Sequence, residues 1–278
     1  MKDLVKNNIT ILVAYYNIPE KYFRDCMNSL LKLNTPILIV NDGSSEEYKK
    51  IVNSYASEHV DIIHQENSGQ AVATLNGLNH IKTKYVVRVD SDDILLSIPS
   101  SEVHFDFLNT RNRIKTFIEY AMIGTSFNGS VFDVKFMKWL YKDAKYISEI
   151  SEWIHEDVYA YITYFIFKEK FPEKNKYIEI YSSENNYRRV FRENSTSLNK
   201  NSRRVHFMMQ TLMLFMMKNS EYFSREDYIK YDIALRGYNE QFLKNKLLSR
   251  EIVEEAKKLY EQSTGKIWRN VSFNEPFN

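Results

Sequence analysis

Apolar residues follow two alternating periodicities over about the first ninety positions of the chain. Short apolar runs, which are typical of buried strands, lie at residues 9–15, 37–40, 61–64 and 85–89. Helical spacing, in which apolar residues recur every three or four positions, occurs between them at residues 19–31, 44–56 and 69–80. Strands that alternate with helices are joined by crossover connections. The pattern therefore predicts an α/β fold with a Rossmann-like, mostly parallel sheet flanked by helices.

The pattern weakens further along the chain, and it assigns no element to residues 98–120. It then predicts a loop and strand within 124–134, helices at 136–141 and 156–167, strands at 178–181 and 187–191, and helices at 205–217, 225–235 and 249–262. The aromatic and β-branched content of the 156–167 segment leaves a strand open as the alternative. We expect a main domain over 1–200, with halves 1–95 and 96–200, followed by a helical C-terminal extension over 201–278.

Three polar clusters directly follow predicted strands. They are Tyr16-Asn17, Asn41-Asp42-Gly43-Ser44 and Asp90-Ser91-Asp92-Asp93. In open α/β sheets, ligands bind beyond the carboxyl ends of the strands. We therefore expect the three clusters to meet in one cleft lined by carboxylates.

The acidic cluster favours a metal site. Asp90, Asp92 and Asp93 repel one another, at a cost that rises as solvent is removed. A hard divalent cation relieves this repulsion, because it takes oxygen ligands and keeps positions open for phosphate oxygens. Such an ion neutralises charge on a departing diphosphate. The alternative is an acidic turn exposed to solvent.

Asp42 has two interpretations. Asp-Gly pairs favour tight turns, and Ser44 with Glu47 forms a capping-box pattern for the helix that follows. Asp42 is also suited to accept hydrogen bonds from a nucleotide base. The two roles are compatible, because a turn and a cap would hold Asp42 in place.

Composition narrows the class of protein. The 278 residues are 44% hydrophobic, enough for a folded core, and the net charge of +2 is too small to indicate a nucleic-acid partner. Cys26 is the only cysteine, which excludes an internal disulfide and a four-thiolate zinc site and fits a reducing compartment. No signal-peptide pattern or run of about 20 apolar residues is visible, so we expect a cytoplasmic protein. Glycine patterns of dinucleotide and phosphate-binding loops are absent from the sequence.

Three ordered motifs carry a family resemblance. They are Asn41 to Ser44, Asn67-Ser68-Gly69-Gln70 continuing through Ala73 to Gly77, and Val89 to Asp93. In order and spacing, residues 9–95 resemble the N-terminal half of the family 2 inverting glycosyltransferases, which have the GT-A fold. The resemblance implies that residues 1–95 bind a nucleotide-sugar through Ala14, Tyr15, Tyr16, Asn17, Asp42, Asn67, Gly69, Asp90 and Ser91. It also implies Mn²⁺ or Mg²⁺ on Asp92 with Asp90, and an acceptor site in residues 96–200.

The second half of the chain contains two further matches to this family. Glu156-Asp157 resembles the pair that supplies the catalytic base, with Asp157 as the base and Glu156 in support. An acidic first helical turn is the structural alternative. Arg188, Arg189 and Arg192 resemble a segment that closes over the diphosphate, and a solvated basic strand is the alternative. Asn128 begins a small-residue loop expected to face the acceptor.

The chain also departs from the family pattern. Ala14 stands where proline is common, and Thr74-Leu75 stands where an Arg-Asn pair braces the donor. We expect metal-dependent inverting transfer from a nucleoside-diphosphate sugar, with UDP as the expected nucleotide, to a hydroxyl of a surface glycan or glycolipid. The alternative is a catalytically degenerate GT-A fold that acts as a nucleotide-binding or scaffold protein. The methionine-rich segment 205–217 suits peripheral contact with a lipid-linked acceptor's membrane, or else a core or homodimer helix.

Overall fold

The computed structural model describes residues 8–98, 128–149, 156–157, 159–160, 163, 180–181, 186–190, 219 and 258. These residues fall into two compact units. The first unit holds the described residues up to 149 together with 180–181 and 186–190, and the second unit holds the others. The domain boundaries expected at residues 95 and 200 remain predictions.

The first unit alternates strands and helices along the chain. Its elements are β1 (Ile9–Tyr15), α1 (Glu20–Leu31), β2 (Ile37–Asp42), α2 (Glu46–Asn53), β3 (Val60–Gln65), α3 (Gln70–His80), β4 (Tyr85–Asp90), β5 (Ile94–Leu95), β6 (Val131–Asp133), α4 (Val134–Leu140), α5 (Ala144–Glu149), β7 (Ile180–Tyr181) and β8 (Tyr187–Arg188).

A mostly parallel sheet organises this unit. Its strand order is β3-β2-β1-β4-β6-β7, in which β3, β2, β1 and β4 are parallel and the last two strands are antiparallel. Ala14 near the end of β1 lies between Val40 on β2 and Asp90 on β4. The predicted fold class is therefore confirmed, and the carboxyl ends of three strands are aligned as expected. A separate antiparallel pair joins β5 to β8, with Ile94 opposite Arg188.

Helices pack closely on both faces of this sheet. Helix α1 buries Phe23, Met27 and Leu30 together with Cys26. Full burial of a phenylalanine, methionine or leucine side chain contributes roughly 1.5–3 kcal/mol. Helix α3 packs against β1 and β2. A Cβ atom at Gly77 would overlap Leu12 and lie 2.9 Å from Val40 Cγ2, so only glycine allows this approach.

Helix boundaries differ from the expected ones in α2 and α4, and α2 also ends at Asn53 instead of continuing to residue 56. The capping box expected from Ser44 does not form: α2 follows Ser45, which makes no side-chain cap, and Ser44 Oγ accepts from the Asn17 backbone N–H at 3.1 Å. Ser44 thus links the ends of β2 and β1. Helix α4 begins two residues earlier than the predicted 136, because Asp133 caps it by accepting from the Lys135 N–H at 2.8 Å.

The second unit is described at few positions. Glu156, Asp157, Tyr159, Ala160 and Thr163 are helical, which agrees with the helix favoured for this segment. Thr163 Oγ1 donates to the Tyr159 carbonyl at 3.0 Å. The helices expected at 205–217, 225–235 and 249–262 lie outside the described residues, apart from the helical Lys258. Among the residues described, no helix is long and apolar enough to cross a bilayer.

Candidate functional site

Two neighbouring tyrosines at the end of β1 differ in exposure. Tyr15 is 1% exposed, packs on Phe23 with ring centroids 4.5 Å apart, and donates from its hydroxyl to the Ile18 carbonyl. Tyr16 is 50% exposed. Asn17 adopts φ +46° and accepts from the Ser45 N–H at 3.0 Å, which fixes the loop after β1. Tyr16 therefore presents its ring at this strand end, whereas Tyr15 can offer a ligand only its backbone.

Asp42 organises the start of α3 from the end of β2. Its buried carboxylate accepts from Gln65 Nε2 and the Ser68 N–H at 2.8 Å each, and from the Gly69 N–H at 2.9 Å. A carboxylate has about four acceptor positions, so protein donors occupy three of those of Asp42. The Gly69 N–H is already used by Asp42. Asn67, just before these donors, is exposed.

Asp90 is held by three donors at the end of β4. Its Oδ1 accepts from Gln70 Nε2 at 3.1 Å and from Arg88 Nη2 at 3.2 Å, while its Oδ2 accepts from Asn128 Nδ2 at 2.5 Å. The side chain is 29% exposed. The loop expected to face an acceptor thus contacts the acidic cluster through Asn128. Ser91, the next residue, is buried.

Asp93 connects the acidic cluster to residues 186–190. Its Oδ2 accepts from the Tyr187 hydroxyl at 2.5 Å, and its Oδ1 accepts from the Val190 N–H at 2.7 Å. Burial raises the pKa of Asp93 to about 7, with a further increase from the charge of Asp90, while these two hydrogen bonds act in the opposite direction. Asp93 therefore anchors the segment that carries Arg188 and Arg189.

That basic segment is described only in part. Arg188 and Arg189 are exposed, and Arg192 lies outside the described residues. Gly129 has φ +78°, and a Cβ atom there would lie 2.7 Å from Tyr187 Cβ. Asn186 Nδ2 donates to the Gly129 carbonyl at 2.6 Å. Residues 128–130 and 186–190 are thus tied to each other as well as to the acidic cluster.

The carboxylates of the acidic cluster fit a divalent ion only if the phosphates of a bound ligand complete the coordination of that ion. The described part of the chain has no group of three His, Cys, Asp or Glu side chains that could hold a metal. Asp90 and Asp93 accept from protein donors, and Asp92 is half-buried. Mg²⁺ is commonly bound by one or two carboxylates together with substrate phosphates and water. Asp92 suits that arrangement.

Cys26 lies beneath the acidic cluster, where its Sγ contacts the Asp90 carbonyl at 3.7 Å. Burial raises the pKa of this thiol well above its usual range, and the charges of Asp93, Asp92 and Asp90 raise it further. A thiol in these surroundings stays protonated and is a poor nucleophile.

Position 74 holds a buried hydroxyl. Thr74 is 0% exposed on α3, and its Oγ1 has no hydrogen-bond partner. Leu75 is half-buried. The side chain at the position where the family commonly has arginine therefore lies in the protein interior.

Replacing Thr74 with valine is expected to raise the free energy of unfolding by about 1 kcal/mol, because an unpaired buried hydroxyl costs about 1–3 kcal/mol and valine nearly matches threonine in shape. Urea denaturation would measure the change. Thr83→Val is the matched control: Thr83 Oγ1 contacts Thr10 Oγ1 at 2.8 Å and donates to the Tyr85 carbonyl at 3.0 Å, so its loss should destabilise by about 1 kcal/mol. A destabilised Thr74→Val would show that the Thr74 hydroxyl has a partner.

Sequence reasoning did not single out Arg88, Gln70 or Tyr187. Arg88 had a signal, because it lies two residues before Asp90 and shares its face of β4. Gln70 stands in the second family motif, and Tyr187 carried no local signal. The contacts of both depend on how distant segments meet.

Comparison with known proteins agrees with the family resemblance that the motifs carry. The model of Glycosyl transferase family 2 matches residues 10–98. The chain is 38% identical over 95 residues to glycosyltransferase GlyA of Streptococcus pneumoniae, a stretch that covers 32% of this chain and 14% of that protein. It is 37% identical over 92 residues to glycosyltransferase YibD of Escherichia coli, covering 31% of this chain and 26% of that protein. It is 36% identical over 100 residues to the teichoic acid poly(glycerol phosphate) polymerase of Staphylococcus epidermidis, covering 33% and 14%.

The segment matched by the family model lies almost entirely within residues 1–95, the half that the motifs predict to bind a nucleotide. The expected resemblance to the family 2 glycosyltransferases is confirmed over residues 10–98, the segment that the family model matches. The similarity spans about a seventh to a quarter of the length of the first two relatives.

Proposed function

We propose that the chain transfers a glycosyl group from a nucleoside-diphosphate sugar, with UDP as the expected nucleotide, to a hydroxyl of a surface glycan or glycolipid. The observation that supports this most is the alignment of three strand ends within the family 2 segment. Ala14, Val40 and Asp90 occupy neighbouring positions on β1, β2 and β4. A nucleotide at this edge would lie beyond the carboxyl ends of a parallel sheet.

The described residues suggest how the donor is bound. The exposed ring of Tyr16 offers a stacking surface for the base, and the remaining acceptor position of Asp42 suits a base N–H. Asp90 would accept from a hydroxyl of the ribose or sugar. The exposed Arg188, together with Arg192, would approach the diphosphate, because guanidinium groups match phosphate geometry.

Asp92 would hold Mn²⁺ or Mg²⁺, with Asp90 beside it. The ion, when bound, would neutralise charge on the departing diphosphate. Asp157 would remove the proton from the acceptor hydroxyl as that hydroxyl attacks the anomeric carbon from the face opposite the diphosphate. This assignment rests on the family resemblance, as does inversion of configuration.

The expected acceptor is a growing surface polymer. One relative is named a teichoic acid poly(glycerol phosphate) polymerase, which supports an acceptor of that kind. Residues 96–200 would bind the acceptor. Segment 205–217 would either bring the enzyme to a lipid-linked acceptor through peripheral membrane contact or form a core or homodimer helix.

Calorimetric titration with UDP, GDP, dTDP and CDP, each with and without Mn²⁺, tests the donor site. We expect one nucleotide to bind in a metal-dependent manner, and Asp92→Asn to weaken that binding by about a hundredfold, within the range for loss of a contact to a charged group. Asp61→Asn, at an exposed position on β3, is the matched control and should bind as the wild type does.

Two outcomes would contradict the proposal. Undiminished metal-dependent binding by Asp92→Asn would show that the ion is held elsewhere. If none of the four nucleotides bound, the catalytically degenerate scaffold would become the better description, and the buried Thr74 in place of the bracing arginine would be consistent with it.

A further inference from the structure

Protein donors occupy most of the hydrogen-bond acceptor positions of the Asp90 carboxylate. Three donors from β4, α3 and the loop before β6 occupy three of its roughly four acceptor positions. The side chain nevertheless remains 29% exposed. Asp90 therefore has one acceptor position for a ligand, and the direction of that position is set by its protein donors.

Arg88 differs from the other two donors in how it is held. Its side chain is 4% exposed, and its guanidinium lies between two partners: Nη2 donates to Asp90 at 3.2 Å and Nη1 donates to the Tyr141 hydroxyl at 2.5 Å. Its Cζ lies 5.9 Å from the centroid of the Tyr141 ring. Because the guanidinium is planar and rigid, it cannot turn away from Asp90 without losing its contact with Tyr141.

Tyr141 is itself fully buried. It is 0% exposed, follows α4 directly, and its backbone N–H donates to the Met137 carbonyl at 3.1 Å. Gln70, by contrast, donates to Asp90 from an exposed position at the start of α3. Arg88 is thus the donor that transmits the rigidity of the core to the carboxylate of Asp90.

Stability alone is a weak reason for this arrangement. Removing an arginine from water costs free energy, and replacing a buried ion pair with well-packed apolar residues is often neutral or stabilising. What the buried arginine provides is a fixed orientation for a partly exposed carboxylate at the ligand-binding edge. Fixed acceptors bind better because little conformational freedom is lost when the ligand arrives.

We propose that Arg88, held by Tyr141, is a positioning residue that orients the Asp90 carboxylate towards a ribose hydroxyl of the nucleotide. This inference rests on the proposed function, in which Asp90 accepts a hydrogen bond from the nucleotide-sugar. It assigns Arg88 a role through Asp90 and no contact with the ligand. Loss of Arg88 should therefore matter only while Asp90 is present to be oriented.

A double-mutant cycle on nucleotide affinity tests this role. Titration with UDP and Mn²⁺, or with whichever of GDP, dTDP and CDP the wild type binds, should show Arg88→Met weakened by about ten- to a hundredfold, the range for one hydrogen bond to a charged group. Arg88→Lys should recover only part of this loss, because an ammonium group cannot bridge both partners in one plane. In an Asp90→Asn background, Arg88→Met should cost less than about twofold.

Two further variants make the result decisive. Tyr141→Phe removes only the hydroxyl that holds Arg88, and it should weaken binding by about three- to tenfold with the fold retained. Arg24→Met removes a guanidinium from an exposed ion pair with Glu20 and should bind as the wild type does. Thermal unfolding checks that each variant is folded. If Arg88→Met does not fold, Tyr141→Phe and Arg88→Lys carry the test.

The outcomes separate this inference from the donor site itself. Wild-type affinity in folded Tyr141→Phe and Arg88→Lys would overturn the positioning role and leave the donor site intact. Equal losses from Arg88→Met with and without Asp90 would also overturn it, because they would indicate a general structural effect. A wild-type chain that binds none of the four nucleotides would overturn the donor site and this role with it.

Discussion

Replacing Asp157 with asparagine is expected to lower kcat by about 10²- to 10⁴-fold, the range typical of a general base. Asparagine nearly matches aspartate in shape but cannot take the proton of the acceptor hydroxyl. Asp157 and its neighbour Glu156 are both helical and half-buried in the second unit, so the substitution should leave folding largely unchanged. Release of nucleoside diphosphate from the matching nucleotide-sugar, in the presence of acceptor, would measure the change.

The control for Asp157 lies next to it in the chain. Glu156→Gln makes the same chemical change one position earlier and should reduce kcat far less, since Glu156 is expected only to support the base. Nucleotide affinity should stay at the wild-type level in Asp157→Asn, because the base acts on the acceptor. Near-native turnover of Asp157→Asn would place the base elsewhere, and a large loss confined to Glu156→Gln would assign the role to Glu156.

Replacing Gly43 with alanine is expected to lower the free energy of unfolding by about 3 kcal/mol. Gly43 has φ +72°, a conformation that costs residues with a Cβ atom roughly 1–2 kcal/mol. The new Cβ would also overlap the backbone N of Asn67 and lie 3.0 Å from its Cα, and these backbone atoms cannot rotate away. Overpacking of this kind typically costs about 1–3 kcal/mol. Urea denaturation would measure the total.

A control at an exposed residue with the same backbone conformation separates the cost of the positive φ from the cost of overpacking. Asn34 has φ +50° at an exposed position, so Asn34→Ala should lose only about 1 kcal/mol, most of it from the backbone conformation. If Gly43→Ala lost no more than Asn34→Ala, the chain around Asn67 would have to move at little cost. Gly43→Ala should also weaken nucleotide binding, because Asn67 immediately precedes the Ser68 and Gly69 amides that hold Asp42.

Much of the sheet could be predicted because burial leaves a local mark on the sequence. The apolar runs that begin at Ile9, Ile37 and Tyr85 are the first residues of β1, β2 and β4 in the structure. Each strand ends at or next to a polar cluster, as expected. The expectation for Ser44 failed because its hydroxyl meets Asn17, 27 residues earlier in the chain, and such a contact has no signature within the helix it was expected to cap.

The acidic cluster shows most clearly which features the sequence predicts and which depend on the tertiary structure. Its position after a buried strand follows from the sequence, and so does the expectation of a ligand site there. Its three carboxylates look alike in the sequence, but the structure gives them different surroundings: Asp90 is oriented by Arg88, Asp93 anchors residues 186–190, and Asp92 is half-buried.

The sequence by itself determined the alternation of strands and helices, the parallel sheet and the edge at which a ligand is expected to bind, because periodicity and strand ends are properties of neighbouring residues. The tertiary structure alone decided which hydrogen-bonding side chains meet in the site. Tyr141 is 53 residues from Arg88, Asn128 is 38 from Asp90, and Tyr187 is 94 from Asp93. Contacts across such separations form only when the sheet brings distant segments together, so no local pattern of residues encodes them.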